Sequence, residues 1–147
     1  NTGPRRGDVF ALSNFAKQIA KIESQGKSGV VHVGNLDSIR TFADVRDAVR
    51  AYWLMVNYCM PGDVYNIGGK ETMSVGQMLE KLMKLSYAKL EVLVDKSRLR
   101  PSDVTEQIPC CDKFKKLTGW EPKIPFEQTI SDTLNYWREI YGVKEHK

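Results

Sequence analysis

Val30-Val31-His32-Val33-Gly34-Asn35-Leu36-Asp37, continuing through Ser38-Ile39-Arg40 to Asp44-Val45-Arg46-Asp47, decides the fold. The valine-rich run Val30 to Val33 predicts a short strand, and Gly34 to Asp37 predicts a loop. Asp44 then has the chemistry of a helix N-cap, and Asp47 places a second carboxylate where the helix dipole favours it. Beyond the cap, Val45, Ala48, Val49, Tyr52, Trp53 and Val56 recur on one broad helical face, which the sequence predicts to be core. Pro61-Gly62 marks the turn that follows. A strand feeding a loop and a helix is the unit of an α/β fold.

The same alternation extends in both directions. Leu12, Phe15, Ala16, Ile19 and Ile22 predict a helix from about Phe10 to Glu23, stopped near Gly26. Val64-Tyr65-Asn66-Ile67 reads as a strand closed by Gly68-Gly69. Ser74 and Gln77 form a capping box for a helix whose apolar stripe is Val75, Met78, Leu79, Leu82 and Leu85. Leu90 to Val94 is a further strand. The polar stretch Asp95 to Thr105 contains Pro101, which blocks a continuous helix. Asp112 is placed to cap a short helix ending at Gly119. Pro125 opens the last helix, along which Phe126, Ile130, Leu134, Trp137 and Tyr141 recur at helical spacing. The strands are few and short, so the chain is helix-rich.

The 147 residues suffice for one modest domain, and 41% apolar with 27% charged residues is ordinary globular composition. No apolar run approaches the roughly 18–20 residues that span a bilayer, so no membrane partner is expected. Asn1-Thr2-Gly3-Pro4-Arg5-Arg6-Gly7 is turn-rich and polar, unlike a secretory signal. The chain begins without methionine and reads as a segment of a longer protein. The net charge of +4 is mild, and its basic residues are interleaved with acidic ones, so nucleic acid is not the expected partner. Cys59, Cys110 and Cys111 offer no spaced disulfide framework, which points to a reducing, cytoplasmic compartment. With only His32 and His146, no metal site is expected.

Reactive constellations are missing. There is no Gly-x-Gly-x-x-Gly loop and no Gly-x-Ser-x-Gly elbow, and the two histidines are far apart in sequence. What remains is polar side chains in loops, where scaffolds carry their binding residues. Arg40 follows a strand and loop. Arg100 lies in Arg98-Leu99-Arg100-Pro101-Ser102-Asp103. A guanidinium can fork two phosphate oxygens, which suits a diphosphate. Spacing alone favours solvated surface arginines.

Taken in order, these segments resemble one family over nearly the whole chain: the extended short-chain dehydrogenase/reductases that act on nucleotide sugars. The similarity is greatest to the GDP-mannose 4,6-dehydratase and GDP-4-keto-6-deoxymannose reductase group. Asn1-Thr2-Gly3-Pro4-Arg5 is similar to a family segment joining asparagine to proline. Val33-Gly34-Asn35-Leu36-Asp37-Ser38-Ile39-Arg40 resembles its Gly-Asn-Leu-x-x-x-Arg signature. Leu99-Arg100-Pro101-Ser102-Asp103-Val104 resembles its Arg-Pro-x-(Asp/Glu)-Val motif, and Thr118-Gly119-Trp120-Glu121-Pro122 its late Gly-Trp-x-Pro turn. Thr41 and Cys110-Cys111 depart from the family pattern.

The resemblance implies an α/β fold: the C-terminal substrate-binding part of a Rossmann-type enzyme, spanning 1–147, with the N-terminal NAD(P)-binding half absent. It implies GDP-mannose or a related nucleotide sugar as ligand. Asn1 would contact the sugar diphosphate, Arg40 and Arg100 the diphosphate, Asp103 the ribose hydroxyls, and Asn14 and Asn35 the base side. The family's Tyr-x-x-x-Lys pair and NADP would belong to the intact enzyme, a homo-oligomer, and no cofactor would be bound by this part. Dehydratase and reductase remain open alternatives. So does a non-catalytic interaction or assembly domain, for which the faces around Tyr52-Trp53 and Trp137-Tyr141 would serve, or an inert remnant of such an enzyme.

Overall fold

The computed structural model describes residues 1–26, 28–99 and 103–143. In chain order the elements are α1 (Ala11–Gln25), β1 (Ser28–Val33), β2 (Ile39–Thr41), α2 (Val45–Tyr58), β3 (Thr72–Ser74), α3 (Val75–Met83), β4 (Lys89–Val94), a 3₁₀ turn (Lys96–Arg98), β5 (Glu106–Gln107), α4 (Asp112–Thr118) and α5 (Phe126–Tyr141). This is the helix-rich α/β arrangement expected, with short strands.

Two small sheets organise it. β1 and β4 pair in parallel from Ser28↔Lys89 to Val33↔Val94. β2 is the centre of a three-stranded sheet, antiparallel to β3 and parallel to β5. The principal core forms where α1, α3 and α5 close over β1. Phe15, Ile19, Val31, Met78, Leu82 and Leu134 are among its buried members. A second cluster gathers Ala51 of α2, Phe114 of α4 and Trp120.

Local chemistry fixes the helix starts. Asp44 accepts from the Arg46 amide at 2.8 Å and so caps α2. Ser74 Oγ accepts from the Gln77 amide at 3.0 Å, while Gln77 Oε1 accepts from the Ser74 amide at 2.9 Å, completing the capping box of α3. Gly119 ends α4 in the left-handed conformation at φ 68°, which costs glycine no Cβ clash.

Several expectations are corrected. Val64 to Ile67 form no strand: the alternating side chains are there, but no backbone partner exists among the described residues. Apart from Ala48, the apolar stripe of α2 is largely not core. Its buried residues are Asp47, Ala48 and Ala51, while Trp53 is 67% and Val56 84% exposed. Cys111, not Asp112, is the N-cap residue of α4, and Asp112 lies in its first turn. β2, β3 and β5 appear where the sequence showed no strand pattern.

Candidate functional site: a polar cleft at the signature loop

The loop after β1 carries Asn35, which is built into its own turn. Asn35 Oδ1 accepts from the Asp37 amide at 2.9 Å. Its Nδ2 donates to Ser38 Oγ at 3.0 Å and to Asp103 Oδ2 at 3.0 Å. Ser38 Oγ also donates to Asp103 Oδ2, at 2.8 Å. Arg40, on β2, donates from Nη2 to Asp103 Oδ1 at 3.3 Å and from Nη1 to the Ile39 carbonyl at 2.8 Å. Residues 63 to 68 positions apart in sequence thus form one cluster. The Ser38 hydroxyl and the Asn35 amide, with the charge of Arg40, hold the Asp103 carboxyl below its ordinary pKa.

This cluster lines an open cleft of about 660 Å³. Across the cleft is a second cluster on α1. Asn14 Nδ2 donates to the Asp8 carbonyl at 2.8 Å, and Asn14 Oδ1 accepts from Gln18 at 2.7 Å and from Arg98 Nη1 at 3.1 Å. Lys17 pairs with the Asp8 carboxylate at 2.6 Å. Arg98 is oriented by Asp95, whose Oδ2 accepts from Nε at 3.3 Å. Gly34 lets the two segments meet: a Cβ there would stand 2.9 Å from the Arg98 carbonyl oxygen.

Four of the six expected site residues therefore share one cleft: Asn14, Asn35, Arg40 and Asp103. Asn1 does not line it and donates instead to the Tyr52 hydroxyl at 2.9 Å. Arg100 lies outside the described residues. Sequence reading passed over Ser38, although it sits inside the signature loop, and Arg98, although it precedes the selected arginine by two positions. Cys111 is partly buried, and burial pushes its thiol pKa up, which suits packing rather than reactivity.

Among the described residues no group of three His, Cys, Asp or Glu could hold a metal ion, and no helix is long and apolar enough to cross a membrane. The sequence holds neither a Gly-x-Gly-x-x-Gly loop nor a Tyr-x-x-x-Lys pair, and the described parallel pairing of β1 with β4 is only two strands wide.

The helix-rich α/β fold is that of Rossmann-type extended short-chain dehydrogenase/reductases. A solved structure of RMD from Pseudomonas aeruginosa complexed with NADPH superimposes with a TM-score of 0.85 at 26% identity, covering 95% of this chain and 46% of that one. UDP-glucose 4-epimerase of Thermotoga maritima with UDP-glucose gives 0.80 at 25% identity, covering 94% and 43%. Within this class the chain belongs to the GDP-mannose 4,6 dehydratase family, whose profile matches residues 1–133. GDP-6-deoxy-D-mannose reductase of Pseudomonas aeruginosa is 27% identical over 135 residues, covering 92% of this chain and 44% of that protein. Human GDP-mannose 4,6 dehydratase is 27% identical over 151 residues, covering 90% and 40%. The chain spans less than half the length of these relatives.

Proposed function

We propose that this chain is the nucleotide-sugar-binding part of a GDP-mannose 4,6-dehydratase-like enzyme, with catalysis requiring an N-terminal NADP-binding half. A GDP-4-keto-6-deoxymannose reductase is the alternative reaction for the same part. The observation that carries the reading is the Arg40–Asp103–Asn35–Ser38 cluster, held together at the signature loop of a chain in this family. Arg40 supplies a guanidinium to a diphosphate, and its pairing with Asp103 fixes its direction without consuming all five donors.

Asp103 accepts from Asn35, Ser38 and Arg40, and a ribose hydroxyl would compete with or join these donors. Asn35 and Asn14 serve the base side, chiefly by positioning their neighbours. Arg100 is assigned to the diphosphate and Asn1 to the sugar diphosphate on the family pattern alone. The same reading makes the intact enzyme a cytoplasmic homo-oligomer.

Calorimetric titration with GDP-mannose tests this, comparing the native chain with Arg40→Ala. Loss of a charged hydrogen bond is worth about 1.5–3 kcal/mol, so affinity should fall roughly 10- to 100-fold. Equal affinity would remove Arg40 from the diphosphate site.

A further inference from the structure

The two edges of the β1–β4 sheet are finished differently. The Asp95 amide donates to the Val33 carbonyl at 2.8 Å, which fixes the phase of the ladder. Backbone groups alternate sides along a strand, so Glu91 and Leu93 also face β1, while Leu90, Val92 and Val94 aim their N–H and C=O groups away from it. The far edge of β1 is closed. Gln18 Nε2 donates to the His32 carbonyl at 2.9 Å, and the His32 amide donates to Gln18 Oε1 at 2.8 Å, so one side-chain amide stands in for a neighbouring strand. β4 has no such cover. Among the described residues it pairs only with β1, and Glu91, Val92, Leu93 and Val94 are exposed. No proline or bulge interrupts it, and an apolar edge left open in this way is a template for a further strand.

The charges on this strand identify the occupant. Two copies of β4 can meet antiparallel about a two-fold axis, provided that outward-facing residues meet outward-facing residues. A register centred on Glu91 sets that carboxylate against itself. One centred on Leu93 sets Glu91 against Asp95. The register centred on Val92 sets Lys89 against Asp95 of the second copy, twice by symmetry, and leaves no acid facing an acid. It also pairs Val92 with Val92 and Leu90 with Val94, all of them outward-facing, so each pair exchanges both of its main-chain bonds. Asp95 holds Ser97 and Arg98 within its own copy, and Lys89 adds a second cation to that carboxylate.

We propose that β4 is a dimerisation edge: two copies of this chain join β4 to β4, antiparallel and centred on Val92, into one continuous sheet ordered β1-β4-β4-β1. The Lys89–Asp95 pairs select the register, and the outward groups of Leu90, Val92 and Val94 supply the bonds. The inference is independent of the nucleotide reading, and it uses a different element from the exposed face of α2.

Sedimentation velocity and amide hydrogen exchange on the full chain, over a series of concentrations, test it. Trp53→Glu with Val56→Lys is added in parallel to silence the open face of α2. Both forms should dimerise. The Leu90, Val92 and Val94 amides should gain protection in step with the dimer fraction, while Glu91 and Leu93, bonded to β1, stay protected throughout. Val92→Pro deletes an outward N–H and leaves the β1 ladder intact, so the dimer dissociation constant should rise about tenfold or more. Lys89→Glu sets acid against Asp95 and should weaken the dimer more at low salt than at high salt. Circular dichroism checks that each variant folds, and the exchange pattern, which needs no substitution in β4, decides the matter where one does not. The inference is overturned if the α2-silenced chain is monomeric throughout, or if the Val92 and Val94 amides exchange freely in the dimer. It is overturned equally if Val92→Pro or Lys89→Glu, correctly folded, dimerises as the parent does. The nucleotide reading stands in each case.

Discussion

Asp103 Oδ1 accepts from Arg40 Nη2 at 3.3 Å, so the carboxylate proposed for a ribose also sits against the guanidinium proposed for a phosphate. The two proposed roles make opposite demands on its charge. Removing that charge should help a bare phosphate and harm a nucleotide. Asp103→Asn should therefore bind GDP about tenfold more weakly, by loss of a charged hydrogen bond, and pyrophosphate no more weakly than the native chain does. Calorimetry with both ligands checks the pair of signs. Parallel weakening would reduce Asp103 to a support for Arg40.

Arg138 and Glu23 form a buried fork between α5 and α1, with Nε to Oε2 at 2.8 Å and Nη2 to Oε1 at 2.9 Å. Burial pushes the Glu23 carboxyl up, but the Arg138 fork, the Tyr87 amide and the Ser86 hydroxyl outweigh it and leave the pKa below the ordinary value. A depressed carboxylate stabilises the fold above the unfolded pKa and loses that contribution as pH falls through the folded one. The native chain should lose stability below about pH 4.3, and Glu23→Gln should show a shallower acid limb. Arg138→Ala leaves a charge buried and unpaired, at about 3–5 kcal/mol. Urea melts across pH measure both effects.

Gly69 has no room for a side chain. A Cβ there would lie 1.7 Å from the Phe42 carbonyl oxygen, and backbone cannot swing aside as a side-chain tip can. Gly69→Ala should cost about 3 kcal/mol or more. Gly7, around which a Cβ would meet nothing within 4 Å, is the control, and Gly7→Ala should stay within about 0.5 kcal/mol. Thermal melts of the two variants separate steric demand from a general intolerance of alanine.

The exposed face of α2 should make the isolated chain self-associate. Val49, Tyr52, Trp53 and Val56 stand open along one helix, beside Tyr58, Met60 and Val64. Trp53→Glu with Val56→Lys should lower the mass seen by light scattering and reduce binding of an apolar-surface dye, with the melting temperature changed little. A native chain that stays monomeric and dark to the dye would contradict this.

The helices were legible because their signals are local. Ser74 and Gln77 sit three apart, and Phe126, Ile130 and Leu134 repeat each turn, so period and cap agree before any tertiary contact exists. Ile39-Arg40-Thr41 carries no such signal. It becomes a strand because Met73 and Gln107 come alongside Arg40, and pairing over that separation leaves no trace in three residues. Val64 to Ile67 shows the reverse, a local pattern without a partner. Amphipathicity gave the position of the α2 stripe but not what covers it, and the interior there is filled by Ala48 and Ala51. In the site, Arg40 and Asp103 were found through resemblance. Arg98 became visible only when the 3₁₀ turn folded it back towards Asn14.

The pairing of α1 with α5 also dictates when the chain can fold during synthesis. Trp137 Nε1 donates to Ser13 Oγ at 3.1 Å across 124 positions, and Ile130 and Leu134 complete the core begun by Phe15 and Ile19. α1 ends at Gln25 and α5 begins at Phe126, so about a hundred residues separate the two. At about 5–20 residues per second, a ribosome leaves the apolar side of α1 waiting for roughly 5–20 seconds. Over that interval the nascent chain offers a chaperone the same stripe of Leu12, Phe15, Ile19 and Ile22 that α5 will later help to cover.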